Sequence, residues 1–311
     1  MKKILFSTAF LLVCSILVAQ TNLKLNLEKN KVYRLKSSTE QTLSQTINGV
    51  LQTTNIKSGS VVSIKMVDAT TDFIIANIKF DTITSVTNAM GQISDVNSAK
   101  EGDIKSEQTA EVMSCIMNRL SKNPVFVKMD YSGKVIEIVN QKMLSDIITK
   151  DTALIAGNMA QITKVQIKNF VDPKALTSMI ESYTNSLPDK QNIGNKKWTK
   201  STTTNAGGMS LDISTSYDLG EIKGNNVSLK AEANIQATPN AAPLDYGSAK
   251  ITYGDLKGIS KSDIVINAQT GLITESKAKT HIAGNLNVAV QGMNLQMPMD
   301  MDIEEKIVAL P

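Results

Sequence analysis

With 311 residues and 33 basic against 29 acidic side chains, the chain carries a formal net charge of +4, too even a balance for the electrostatic footprint of a nucleic-acid-binding protein. One histidine, two cysteines and 4% aromatic residues remove the easiest routes to His- or Cys-based catalysis. They also leave too few rings for a carbohydrate platform or for stacked bases.

The chain opens as a secretory signal: Lys2 and Lys3 form a charged start, and residues 4–18 are apolar but short for a membrane span. Cleavage is expected after Ala19 or Gln20. Cys14 follows Val13 rather than a small residue and precedes more apolar side chains, so it reads as part of the signal and not as a lipidation site. No later apolar run approaches eighteen residues, and the expected location is the periplasm or the cell exterior, without a spanning helix.

Residues 32–46, rich in Thr, Ser and Gln, read as a long strand solvated on one face. Asn48-Gly49 is a strong hairpin signal. A partner strand follows, broken by a turn at Ser58-Gly59, then strands at 61–67 and 73–83. Residues 90–103 are polar and Gly-punctuated, and read as a loop. A helix is expected at 106–122, its face formed by Ala110, Met113, Ile116, Met117 and Leu120. Cys115, the one cysteine left after export, is read there as a buried thiol. A hairpin at 125–139 turns through residues 130–133.

The central segment, 141–188, is the one extended stretch that does not read as strand. Met143, Leu144, Ile147 and Ile148 form one helical stripe; Leu154, Ile155, Met159 and Ile162 form another, interrupted by Gly157. Asp172 is placed to cap a third helix with Pro173 at its first position. Its stripe is Ala175, Leu176, Met179, Ile180 and Tyr183, and Pro188 is expected to close it.

The second β-rich half, 189–311, restarts at Gly194 and Trp198, with strands at 198–205, 209–219 and 227–238, a loop at 239–247 and a strand at 250–254. A hairpin at 263–278, turning through 268–271, matches the one at 125–139: in both an apolar run meets a four-residue turn ending in Gly, a position for positive φ. Strands at 284–291 and 293–308 finish the chain. Long strands joined by tight turns mean antiparallel sheet. With helices confined to the centre, the class is α+β: two β-rich halves, 21–140 and 189–311, of long curved strands around a helical segment.

The sharpest pattern lies in the last strand. Met293, Leu295, Met297, Met299, Met301 and Ile303 alternate with Asn294, Gln296, Pro298, Asp300, Asp302 and Glu304, so the two sets occupy opposite faces. The methionine face is read first as core. It can also be the wall of an apolar ligand cavity or, least simply, a soft-metal site, for which His and Cys partners are lacking. Asp300, Asp302 and Glu304 offer oxygen ligands of the kind Ca²⁺ takes, though a solvated face is the simpler reading. Pro298 suggests an edge or a bulge. His281 is read as structural, and Trp198 as a packing anchor. Signatures of dinucleotide, nucleoside-triphosphate, zinc-protease, serine-hydrolase and dithiol chemistry are absent.

Three features carry a resemblance: the Lys31–Leu35 run at the start of the first mature strand, the central helices, and the Gly194 to Trp198 restart. On them the chain resembles secreted β-rich envelope proteins of unknown function, and more distantly is similar in architecture to periplasmic half-barrel lipoprotein carriers. That resemblance implies a curved sheet wrapping helices and holding an acyl chain, with no residue carried over. The functional expectation is an exported, non-enzymatic protein without metal or cofactor. It binds a lipid or other apolar molecule between sheet and helices, with Met143, Met159, Met179, Met293, Met297, Met299 and Met301 as candidate lining. The alternatives are a protein-interaction module working through an exposed strand edge, at 32–46 or 293–308, and a hydrolase using two close carboxylates.

Overall fold

The computed structural model describes residues 23–311 apart from 48, 158, 191–193, 247–248 and 291. The expected signal at 1–20, and the asparagine of the Asn48-Gly49 turn, therefore lie outside the described residues.

The Thr- and Val-rich first half folds as an antiparallel meander of β1 (Val32–Ile47), β2 (Val50–Ala69) and β3 (Ile74–Ala89), with the short β4 (Gln92–Asn97) folded back on the tip of β3. β4 takes up part of the stretch whose polarity suggests loop; it is a strand because β3 offers it a ladder, Thr84↔Asn97 to Ala89↔Gln92. No turn forms at Ser58-Gly59. β2 runs straight through, and Gly59 instead lets Thr84 of the neighbouring strand approach to where a Cβ would meet its Oγ1 at 3.2 Å.

The helices follow as expected in kind: α1 (Thr109–Lys122), then after the hairpin β5 (Val125–Met129) and β6 (Val135–Ile138), α2 (Gln141–Ile148), α3 (Ala160–Phe170) and α4 (Pro173–Thr184). Cys115 is buried on α1. The Asp172 carboxylate accepts the Lys174 amide at 2.9 Å, with Pro173 at the start of α4. The stripe around Gly157 is not one helix: Gly157 takes a φ of 89°, and a 3₁₀ turn at Thr152–Leu154 is separated from α3. α4 ends at Thr184, short of Pro188.

The second half supplies β7 (Lys197–Ala206), β8 (Met209–Lys223), β9 (Asn226–Ala237), a small excursion of β10 (Leu244–Asp245) and β11 (Ala249–Thr252), then β12 (Lys257–Asn267), β13 (Ile273–Val290) and β14 (Met293–Leu310). β13 is one strand of 18 residues where the sequence suggests two. Gly284, which marks the suggested break, lies against Asp255 and Leu256 so closely that a Cβ would meet the Leu256 Cα at 2.9 Å.

All fourteen strands among the described residues belong to one sheet, ordered β6-β5-β3-β2-β1-β14-β13-β12-β9-β8-β7. The two β-rich halves join through β1 and β14, from Arg34↔Leu310 to Gln45↔Met299. This corrects the expectation of an exposed edge at 32–46 or 293–308: these strands are central and pair with each other. Pro298 sits just beyond the last β1 partner, Met299, where β14 lacks a neighbour on that side and a missing N–H costs no ladder bond.

The sheet curls until its two ends approach each other across α4, which packs on both β6 and β7. Polar ties hold this seam. Thr184 Oγ1 donates to the Gly133 carbonyl at 2.7 Å, and the Val135 amide donates to Glu181 at 2.8 Å. Lys200 Nζ donates to the Leu187 carbonyl at 2.9 Å and to Ser132 Oγ at 3.2 Å. The two matching hairpins meet at the same end of the molecule: Gly133 and Gly271 both have positive φ, 85° and 75°. A strap formed by residues 23–27 runs between them, the Leu25 amide donating to the Tyr131 carbonyl at 2.8 Å and the Asn26 amide to the Thr270 carbonyl at 2.9 Å. Leu23, Leu25 and Leu27 are buried beneath.

Inward residues follow the period of two. In β9, Val227, Leu229, Ala231, Ala233, Ile235 and Ala237 are all buried while their alternates are not. The main core joins this face to the strap and the helices through Phe80, Ile116, Leu120, Leu144, Leu176 and Trp198. A second apolar cluster lies on the same face at the opposite end and includes Leu211, Ile235, Leu256, Ile282, Leu286 and Met299. Small or hydroxylated inward residues lie between the two: Ala233, Ser260 and Thr280 share a register row, and Thr280 Oγ1 donates to Ser260 Oγ at 2.7 Å.

Candidate functional site

The helix-plugged end is filled by side chains, and its polar groups serve the seam. Lys200 is 6% exposed; burial pulls its pKa down, opposed chiefly by Asp189, whose Oδ1 lies 3.5 Å from Nζ. Burial pushes the Glu181 carboxyl up against its hydrogen bonds from the Val135 amide and Asn185. The Glu305 carboxyl is likewise raised by burial, with Ser37 Oγ donating to it at 3.2 Å. Near it Tyr183 Oη and Ser60 Oγ share a 2.6 Å hydrogen bond. Tyr217, stacked on Trp198 at 5.4 Å between ring centroids, is pushed up to about 12 by burial. These groups are tied to backbone and hydroxyl partners within packed core. They have the geometry of a structural network.

The seven candidate methionines do not converge on one cavity between sheet and helices. Met179 packs against the main core. Met143 stands in a shallow surface hollow on α2, with Val139 and Ile147, and Met159 is exposed just before α3. Met297, Met299 and Met301 are brought together, in the second cluster at the far end of the sheet. Met293 extends the same face beyond them and is exposed.

Among the described residues, that far end gathers six of the large exposed apolar side chains. Three of the hairpin tips at that end carry them: β1 into β2, β3 into β4, and β13 into β14. Their strands are neighbours in the sheet, so the tips form one row. Val50 and Leu51 occupy the first, Met90 and Ile93 the second, Met293 and Leu295 the third; Leu51, Met90 and Ile93 are 68, 74 and 72% exposed. The local sequences explain the exposure. β2 outruns β3 by four residues, since Ala89 pairs with Thr54, and β14 outruns β1 from Pro298 onward. Side chains at the overhanging tips thus lack a neighbouring strand to cover them. Exposed apolar groups scattered singly are ordinary; several gathered at one end are the pattern of a contact surface.

The outward face of the sheet is of opposite character. A trough of about 1550 Å³ crosses β7–β9 and β12–β14. Its exposed side chains lie in cross-strand register, Lys197 with Asp218, Lys261 with Glu232 and Lys279 with Glu304, at 3.0, 3.8 and 2.6 Å. Exposed pairs of this kind contribute roughly 0–1 kcal/mol each. At the trough His281 meets two of the acidic residues of β14: Nδ1 lies 3.0 Å from Asp302 Oδ1 and Nε2 lies 3.8 Å from Asp300 Oδ2. The hydrogen bond with Asp302 leads in raising the imidazole pKa above its ordinary value. The sequence reading names Asp300 and Asp302 but leaves His281 apart from them, because it breaks β13 just where His281 lies. The pairing of Val290 with Met293 sets the whole register, through to His281↔Asp302.

Comparison with known proteins gives a family model, described as a family of unknown function (DUF6263), that matches residues 71–273. The matched span begins just before β3 and ends at the start of β13. None of the curated proteins matches the chain. Among solved structures, the chain is similar to lipovitellin, in a structure titled for lipid–protein interactions, with a TM-score of 0.45 and 11% identity over 92% of this chain and 26% of that one. It is also similar to an outer membrane channel from Pseudomonas putida F1 (TM-score 0.27, 7% identity, 92% and 97% covered). A third is the translocator domain of the autotransporter NalP from Neisseria meningitidis (TM-score 0.22, 7% identity, 91% and 90% covered). The chain spans about a quarter of the lipovitellin chain it matches.

Proposed function

The chain belongs to a family of unknown function (DUF6263), and from its geometry we propose that it is an exported, non-catalytic protein that binds lipid through the far end of its curled sheet. The observation that carries this reading is the row of exposed apolar hairpin tips, Val50, Leu51, Met90, Ile93, Met293 and Leu295. On the inward face Val50, Met293 and Leu295 continue the run of Met297, Met299 and Met301 in the second apolar cluster, while Leu51 and Ile93 extend the apolar tips around to the outward face. Acyl chains are the partner this chemistry suits, because flexible thioethers adapt to variable apolar shapes and burying such side chains supplies a non-directional driving force. The opposite end is closed by helices and the leucine strap, which places the contact surface at one pole. Export is read from Lys2, Lys3 and the apolar run after them.

Co-flotation of the purified mature chain with phosphatidylethanolamine–phosphatidylglycerol vesicles tests the reading. The wild type is expected to float with the vesicles, and Leu51→Asp combined with Ile93→Asp and Leu295→Asp to stay in the dense fraction with its melting temperature unchanged. A wild-type chain that remains in the dense fraction, or a triple variant that floats as well as wild type, overturns it.

A further inference from the structure

We propose that His281, Asp300 and Asp302 form a binding site for one divalent metal ion of the Zn²⁺ class on the outward face of β13 and β14. The site is independent of the lipid-binding surface, being made by other residues on the opposite side of the sheet from Met299 and Met301. Its construction follows from the register. His281 stands directly across from Asp302, and Ala283 stands across from Asp300, so the small side chain beside Asp300 leaves the space between the two carboxylates to the imidazole.

One donor atom from each of the three residues lies within 4.8 Å of the others. Zinc bonds of about 2.0–2.2 Å to nitrogen and oxygen set tetrahedral donors roughly 3.3 Å apart. Closing the set thus needs shifts on the order of 1 Å, and all three side chains are exposed and free to make them. Two carboxylates and a neutral imidazole balance the ion's charge. Of the basic side chains in register, Lys279 is paired with Glu304 at 2.6 Å, and Lys257 stands one strand further out, across Ala283 from Asp300. Imidazole with carboxylate suits zinc and its transition-metal neighbours, whereas calcium prefers six to eight oxygens. On the β1 side, Thr42 and Ser44 stand across from Asp302 and Asp300. Three protein donors leave a coordination position for water or for a group brought by a partner.

Isothermal titration of the full mature chain, prepared without a histidine tag, with ZnCl₂ at pH 7.5 tests the assignment, and Co²⁺ absorption spectra report the donor set. One Zn²⁺ per chain is expected, with a visible Co²⁺ spectrum. His281→Ala and Asp302→Asn should each weaken binding at least tenfold, and Asp263→Asn, an acid elsewhere in the trough, should leave it unchanged. Because His281 is the sole histidine of the chain, its removal deletes every imidazole nitrogen. Equal melting temperatures for the variants and wild type separate lost binding from lost folding. Absence of saturable Zn²⁺ binding, unchanged binding in both variants, or tighter binding of Ca²⁺ than of Zn²⁺ overturns the proposal.

Discussion

Gly133 is the position where a single added methyl group tests the closure of the sheet. It ends the turn between β5 and β6 with a φ of 85°, and an added Cβ would lie 2.0 Å from the carbonyl oxygen of Thr184, the last residue of α4. Neither partner is a flexible side-chain end, so alanine here must push the turn and the helix apart. The left-handed conformation costs a non-glycine residue roughly 1–2 kcal/mol. Overpacking against fixed neighbours adds roughly 1–3 kcal/mol. The buried bond from Thr184 Oγ1 to the Gly133 carbonyl, stretched by the same movement, is worth about 1 kcal/mol more. Gly133→Ala is therefore expected to cost roughly 3–6 kcal/mol, a large part of the ~5–15 kcal/mol that holds a typical domain together. Gly224 supplies the control. Its φ is 59°, and nothing lies within 4 Å of the added Cβ, so Gly224→Ala carries the conformational cost alone, roughly 1–2 kcal/mol. Urea unfolding followed by far-UV circular dichroism measures both, and Trp198 fluorescence reports the seam separately. If Gly133→Ala is no more destabilising than Gly224→Ala, the turn does not press on α4 and the closure described here is wrong.

Three further variants probe two buried ionisable groups. Glu305 has a raised folded-state pKa because its charged form is desolvated. The stability it lends is therefore full below the unfolded carboxylate value and is lost as pH rises through the folded one. Glu305→Gln, which keeps an acceptor for Ser37, should raise the melting temperature at pH 7 and lose that advantage near pH 4; an equal shift at both pH values would show that burial of the charge is not the cause. At Lys200, alanine leaves the Leu187 carbonyl and Ser132 without their donor and opens a void, at a cost of about 2–4 kcal/mol. Lys200→Met keeps the aliphatic stem and should cost less in the same denaturation series, and equal losses would assign the effect wholly to the hydrogen bonds.

Local periodicity makes most of the strands and three of the four helices readable, since each depends on contacts set within a few residues; α3 starts at Ala160, near the end of the stripe at 154–162. Asp172 and Pro173 fix the start of α4 by satisfying and omitting amides of its own first turn, and Gly133 and Gly271 are demanded by the backbone of their own turns. The misreadings share one cause. Gly59 and Gly284 look like turn signals, yet both lie inside strands and a distant segment presses on each, Thr84 in one case and residues 255–256 in the other, with Gly284 also taking a φ of 154°. A glycine chosen for a close approach is identical in sequence to one chosen for positive φ. Only the partner, dozens of residues away, tells them apart.

The same reasoning explains why the pairing of β1 with β14 was hidden while the methionine alternation was plain. A period of two states which side chains share a face, but not which strand lies alongside. In β1 and β14 the polar alternates Thr42, Asp300 and Asp302 look like a solvated edge until the register places them beside one another. His281 shows how little was missing. With β13 continuous, the pairing of Val290 with Met293 sets every partner in the hairpin, because pairing numbers then add to a constant. His281 falls opposite Asp302 by that arithmetic alone. The apolar tips, by contrast, need the lengths of neighbouring strands: Leu51 and Leu295 are exposed because β2 and β14 outrun their partners, and nothing in either hydrophobic pattern marks where a neighbour stops. The side of the molecule suited to an apolar partner is thus set by mismatched strand lengths. The side suited to a metal ion is set by a matched register, which is why the sequence carries the second more nearly than the first.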